Sequence, residues 1–197
     1  MSDKARKGDI ILILDESGSM ETMGPEAAQS AQIFIQEQKD HSVLEDDASI
    51  TIWKFNNRVR KVIDSYPLAS KDEVSFTYNP EGGTAMYDAL GQAITEKLSS
   101  SRSDNNICLI LTDGLDNSSR KFKLSDAKKL IKDAENNHGW MFVFVGANID
   151  AWSVGGSMGV GRCVNFEPTP LGLGTILRET SNSIARYRSG ESDKVEL

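Results

Sequence analysis

The stretch Ile10-Ile11-Leu12-Ile13-Leu14-Asp15-Glu16-Ser17-Gly18-Ser19 decides the fold. Five consecutive aliphatic residues without polar alternation describe a strand covered on both faces, which places it in the middle of a sheet with helices above and below. The apolar run stops at Asp15, and the residues after it are short, polar and oxygen-bearing.

A second uniform run, Ile107 to Leu111, predicts another central strand, and it too gives way to an oxygen-bearing turn, Thr112-Asp113-Gly114. Between and after these runs, strand-like and helix-period segments alternate, the signature of a mostly parallel α/β sheet. A helix is expected from Pro25 to about Lys39, with proline at its first position and Ala27, Ala31, Phe34 and Ile35 as its apolar stripe. Ala48 to Phe55 reads as a strand. Asn56-Asn57 offers a two-residue turn that tolerates positive φ, and Arg58 to Ile63 reads as a charged antiparallel edge strand. Gly82-Gly83-Thr84 opens a helix carrying Met86, Leu90, Ala93, Ile94 and Leu98. Ser125 is positioned to cap another, which Gly139 closes. Trp140 to Val145 and Cys163 to Phe166 read as the last two strands. Leu173, Ile176, Leu177, Thr180, Ile184 and Tyr187 recur at helical spacing, with Gly172 and Gly174 before them as a connection or hinge. Residues 8–188 form one domain in this reading, with flexible tails at 1–7 and 189–197.

Composition narrows the function. The 197 residues carry 29 Asp and Glu against 22 Lys and Arg, a net charge of −7, which argues against a nucleic-acid backbone or an anionic membrane as partner. No apolar run is long enough to span a bilayer, and the polar N-terminus lacks the apolar core of a signal peptide, so a cytoplasmic location is expected. Two cysteines, Cys108 and Cys163, cannot build a disulfide framework and fit no zinc spacing with His41 and His138.

The chemistry gathers at the carboxyl ends of the central strands, where open α/β sheets bind ligands. Asp15, Ser17, Ser19, Thr84 and Asp113 offer only hard oxygen donors, which selects Mg²⁺, Mn²⁺ or Ca²⁺ over zinc or copper. Three neutral hydroxyls with two carboxylates behind them leave such an ion under-neutralised, able to take one more anionic oxygen from a partner's Asp or Glu. Taken singly, each part has a plainer reading as a turn, a cap or a strand end.

Asp15-Glu16-Ser17-Gly18-Ser19-Met20, Gly82-Gly83-Thr84-Ala85-Met86-Tyr87-Asp88-Ala89-Leu90 and Leu111-Thr112-Asp113-Gly114 together resemble a von Willebrand factor A domain with its metal-ion-dependent adhesion site. The resemblance covers about residues 8 to 188 and is similar to the small stand-alone intracellular members. It implies a non-enzymatic protein-binding module. Ser17, Ser19 and Thr84 would ligate the ion directly, and Asp15 and Asp113 largely through water. It also implies a doubly wound six-stranded sheet of order 3-2-1-4-5-6 with one antiparallel edge strand. Cys108 and Cys163 would then lie on strands separated by another strand, as reduced core thiols. Glu16, Met20, Leu115, Asp116, Asn148 and Asp150 lie in loops at the same edge and are candidates for a partner-binding rim, with solvated loop residues as the plainer reading.

Two other function classes stay open. A magnesium-dependent phosphohydrolase or phosphotransferase would use Asp15 as nucleophile, but such sites usually want a second acid at position 17, which is Ser, and a nearby Lys. A scaffold subunit would keep the cation merely as a structural element. Gly155-Gly156-Ser157-Met158-Gly159 matches a nucleophile elbow, but no histidine follows His138, so the segment reads as a flexible loop.

Overall fold

The computed structural model describes residues 8–24, 26–41, 48–100 and 104–197. Six strands, β1 (Ile10–Asp15), β2 (Ser49–Phe55), β3 (Val59–Pro67), β4 (Ile107–Thr112), β5 (Met141–Gly146) and β6 (Cys163–Asn165), form one sheet in the order β3-β2-β1-β4-β5-β6. All neighbours are parallel except β2 and β3. Every residue of β1 and β4 is buried, as their unbroken apolar runs require.

Side chains of β1 alternate between two cores. Ile10, Leu12 and Leu14 pack under α1 (Glu26–Asp40) and α5 (Pro170–Ser189). Ile11 and Ile13 pack under α2 (Met86–Leu98), α3 (Leu124–His138) and α4 (Ala151–Met158). A 3-10 helix at Gly18–Met23 joins β1 to α1. The chain reverses direction of winding between β1 and β4, so the loops after these two strands lie side by side at one edge of the sheet.

Several local expectations differ. Phe55 pairs with Val59, so the hairpin connection has three residues, closed by Asn56 N–H to Arg58 O and by Arg58 N–H to the Asn56 side chain. Neither Asn56 nor Asn57 has positive φ. Helix α3 starts at Leu124, not behind a Ser125 cap: the carboxylate of Asp126 reaches back to the Lys123 N–H at 2.9 Å. Gly139 closes it in the left-handed conformation, φ 65°.

The glycine-rich segment expected as a loop is helix α4. Asp150 caps it, and Gly155 lies so close to β5 and β6 that a Cβ there would stand 2.5 Å from Cys163 Sγ. Tertiary contact overrides the weak helix propensity of glycine. Gly172 and Gly174 fall inside α5, which starts at Pro170 behind a Thr169 cap, and are no hinge in front of it. The segment expected as a free C-terminal tail folds back: Val195 is buried in the α1–α5 core and the Glu196 N–H donates to Ser183 Oγ. Pro25 and the N-terminal tail at 1–7 lie outside the described residues.

Candidate metal centre

The strands deliver the oxygen donors in layers. Asp15, the last residue of β1, is fully buried. Its Oδ1 accepts the Ser17 N–H at 2.7 Å, and its Oδ2 accepts the Thr112 hydroxyl at 2.5 Å from the end of β4. Asp15 therefore sits beneath the site and ties the two central strand ends together. Above it, Ser17 Oγ lies 3.2 Å from Ser19 Oγ, and the Ser19 hydroxyl donates to Asp113 Oδ1 at 2.6 Å. A Cβ on Gly114 would stand 3.4 Å from Thr84 Oγ1 and 3.9 Å from Ser19 Oγ, so the Thr84 hydroxyl faces the same turn. All five residues singled out in the sequence meet at one edge.

Backbone contacts hold these loops against each other. Gly18 N–H donates to Gly82 O at 3.0 Å, seating the β1 loop on the Gly-Gly-Thr loop. Gly82 has φ 71°, and a Cβ on Gly83 would stand 2.1 Å from Ser118 Oγ, so both positions call for glycine. The Tyr78 hydroxyl donates to the Asp15 carbonyl at 2.6 Å, tying the segment before the Gly-Gly-Thr loop to the end of β1.

The electrostatics favour added positive charge. Burial pushes the Asp15 carboxyl up to about 6 despite the Thr112 and Ser17 hydrogen bonds, with the Asp113 charge adding to the rise. Burial also raises Asp113, against the Ser19 bond. Asp113 Oδ2 is buried and has no hydrogen-bond partner, a costly state for a carboxylate oxygen. No group of three or more His, Cys, Asp or Glu that could hold a metal is found among the described residues. A cation here would rest on hydroxyls backed by only two carboxylates. The all-oxygen donor set, with one buried carboxylate oxygen left without a partner, fits a hard divalent cation.

The rim departs from expectation at two positions. Glu16 is buried and fully committed: its carboxylate takes Lys54 at 2.5 Å, Arg60, and the Asn79 N–H at 2.8 Å. Met20 is a fully buried core residue on the inner side of the 3-10 turn. Neither can meet a partner. Asp116 is half-buried and caps α2, accepting the Tyr87 N–H at 2.9 Å. Leu115 is 60% exposed. Asn148, with φ 54°, and Asp150, the α4 cap, are also exposed. Three residues organise the site in roles the sequence alone did not assign to them. Thr112 bridges Asp15 to the following turn. Asn117 holds Thr84. Asp88 accepts three successive backbone N–H groups from Arg120, Lys121 and Phe122. A carboxylate at the first turn of α2 and an Asn-Ser-Ser run after Asp113 were the available signals.

The family profile of the von Willebrand factor type A domain matches residues 9–154, about three quarters of the chain. The chain belongs to that family. Solved structures share the fold at low identity. Proximal thread matrix protein 1 from the mussel byssus is 18% identical, with a TM-score of 0.67 over 90% of this chain and 46% of its own. A von Willebrand factor type A protein from Catenulispora acidiphila is 17% identical, with a TM-score of 0.60 over 90% of this chain and 42% of its own. The ArnB paralog VWA2 from Sulfolobus acidocaldarius is 17% identical, with a TM-score of 0.61 over 88% of this chain and 45% of its own. The chain thus spans less than half the length of these structures. Domains of this family commonly mediate protein–protein interactions. No helix among the described residues is long and apolar enough to cross a membrane.

Proposed function

We propose that the chain is a metal-dependent protein-binding module. The hydroxyls of Ser17, Ser19 and Thr84, backed by Asp15 and Asp113, would hold Mg²⁺, with Mn²⁺ or Ca²⁺ as alternatives. When bound, the cation supplies an electrophilic point that accepts a carboxylate oxygen from an Asp or Glu of a partner protein. The observation that carries this reading is the buried, partnerless Oδ2 of Asp113, on a carboxylate whose Oδ1 already takes the Ser19 hydroxyl: a neutral network would have paired it. Exposed Leu115, Asn148 and Asp150 supply the rim a partner would touch. Cys108 and Cys163 are buried free thiols on strands two apart, which suits a reducing compartment such as the cytoplasm.

The phosphotransferase reading has less support. Both Asp15 oxygens are engaged inside the protein, and Lys54, on the neighbouring strand, is buried against Glu16. Neither is free for attack on, or neutralisation of, a phosphoryl group. The test is capture of partners from the native host with and without EDTA, with Asp113→Ala as the matched control. Partners lost both to chelator and to the substitution support the module. Equal capture in all three supports a scaffold whose cation is structural.

A further inference from the structure

Asn117 is bound to Thr84 twice over. Its side-chain Oδ1 accepts the Thr84 N–H at 2.9 Å, while its own N–H and that of Ser118 donate to the Thr84 carbonyl at 3.0 and 3.2 Å. The neighbouring residues extend the junction into α2. Asp116 accepts the Tyr87 N–H, and Ser119 Oγ accepts the Asp88 N–H at 2.9 Å while donating to Asp116 at 2.6 Å. The Asp88 carboxylate returns the connection by accepting three backbone N–H groups of the same loop. This loop begins at Asp113.

From this geometry we infer that Asn117 is a positioning residue that sets cation affinity by fixing the Thr84 hydroxyl relative to Asp113, an inference that rests on the metal-binding reading above. Thr84 is a neutral ligand, so charge does not draw it to a cation. It follows two glycines whose backbone is intrinsically free, and an unrestrained Thr84 would have to be ordered at the moment of binding. Asn117 removes that cost in advance by holding both backbone polar groups of Thr84. The loop that does so carries Asp113 only four residues away, so the two ligands are spaced as one unit. Supporting partners of metal ligands typically matter by ~10- to 100-fold in affinity.

The test pairs Mn²⁺ titration by calorimetry with amide hydrogen exchange on the full chain. Asn117→Ala should weaken Mn²⁺ by about 10-fold or more and speed exchange of the Thr84 amide, with the β1 and β4 amides as protected as before. Asn117→Asp keeps the acceptor and should restore Thr84 protection, a readout that its added charge cannot mimic. Wild-type affinity in Asn117→Ala overturns the positioning role and leaves the metal site standing. Global loss of protection in Asn117→Ala marks the residue as structural and also overturns the role. Failure of the wild-type protein to bind Mn²⁺ at all overturns the metal reading and this inference with it.

Discussion

Ser19 and Asp113 stand 94 positions apart in the chain, and the Ser19 hydroxyl donates a 2.6 Å hydrogen bond to Asp113 Oδ1 while Oδ2 of the same carboxylate is buried without a partner. The pair couples the ends of the two central strands and concentrates unsatisfied negative charge at one point. The buried, unpaired Oδ2 is a cost to the metal-free fold that a bound cation would relieve.

Asp113→Ala should therefore abolish the Mg²⁺-dependent rise in melting temperature without weakening the metal-free protein. Removing a buried unpaired acceptor relieves ~1–3 kcal/mol, against a lost hydrogen bond to a carboxylate of ~1.5–3 kcal/mol, so the two nearly cancel. Urea unfolding in EDTA should give a stability unchanged to within about 1 kcal/mol. A loss above ~2 kcal/mol in EDTA would show the carboxylate to be a structural prop.

Asp15 predicts an unusual pH dependence. Its carboxyl rises in the fold from 3.8 to about 6, so the stability it contributes is full below pH 3.8 and is lost as pH rises through about 6. The shift corresponds to roughly 3 kcal/mol as an order of magnitude. The metal-free protein should gain from this group on acidification from pH 7 to 5, and Asp15→Asn should flatten that part of the profile. Mg²⁺ competes with the proton, so its stabilising effect should be larger at pH 7.5 than at pH 5. Identical wild-type and Asp15→Asn profiles in EDTA would refute the assignment.

Glu16 predicts a stability phenotype instead of a binding one. Glu16→Ala leaves Lys54, itself buried, without its carboxylate and should cost about 3–5 kcal/mol in chemical denaturation. The double variant Glu16→Leu/Lys54→Met should recover most of that loss, because it removes both buried charges. A single variant of wild-type stability that fails to bind a partner would return Glu16 to the rim.

Two adjacent glycines of α4 should respond with opposite sign. At Gly155 an added Cβ stands 2.5 Å from Cys163 Sγ and 3.2 Å from Phe144, so Gly155→Ala should cost ~1–3 kcal/mol through overpacking. At Gly156 nothing lies within 4 Å, and Gly156→Ala should stabilise by ~0.5–1 kcal/mol through helix propensity. Thermal melts of the two variants decide it; shifts of the same sign would mean that α4 is not seated as described.

Much of the architecture was legible in local pattern. Unbroken aliphatic runs marked β1 and β4 as central because only a doubly covered strand tolerates them, and the charges of β3 marked an edge. That Asp15, Ser17, Ser19, Thr84 and Asp113 would share one sheet edge was legible because they stand where central strands end or a helix begins. Helix α4 was not legible, because its glycines are disfavoured locally and justified only by the close approach of Cys163 and Phe144.

What the sequence alone determined is which segments are apolar, where they stop and which oxygens stand at the stops, since those depend on neighbours a few residues away. Tertiary structure alone decided which of the edge residues remain available. Glu16 looked like a rim acid until Lys54 and Arg60, 38 and 44 residues on, closed over it, and Asn117 looked like a loop residue until Thr84, 33 residues before it, supplied the groups it holds. A side chain's role at such a site is set by who completes its hydrogen bonds, and those partners arrive from distant strands only when the sheet assembles.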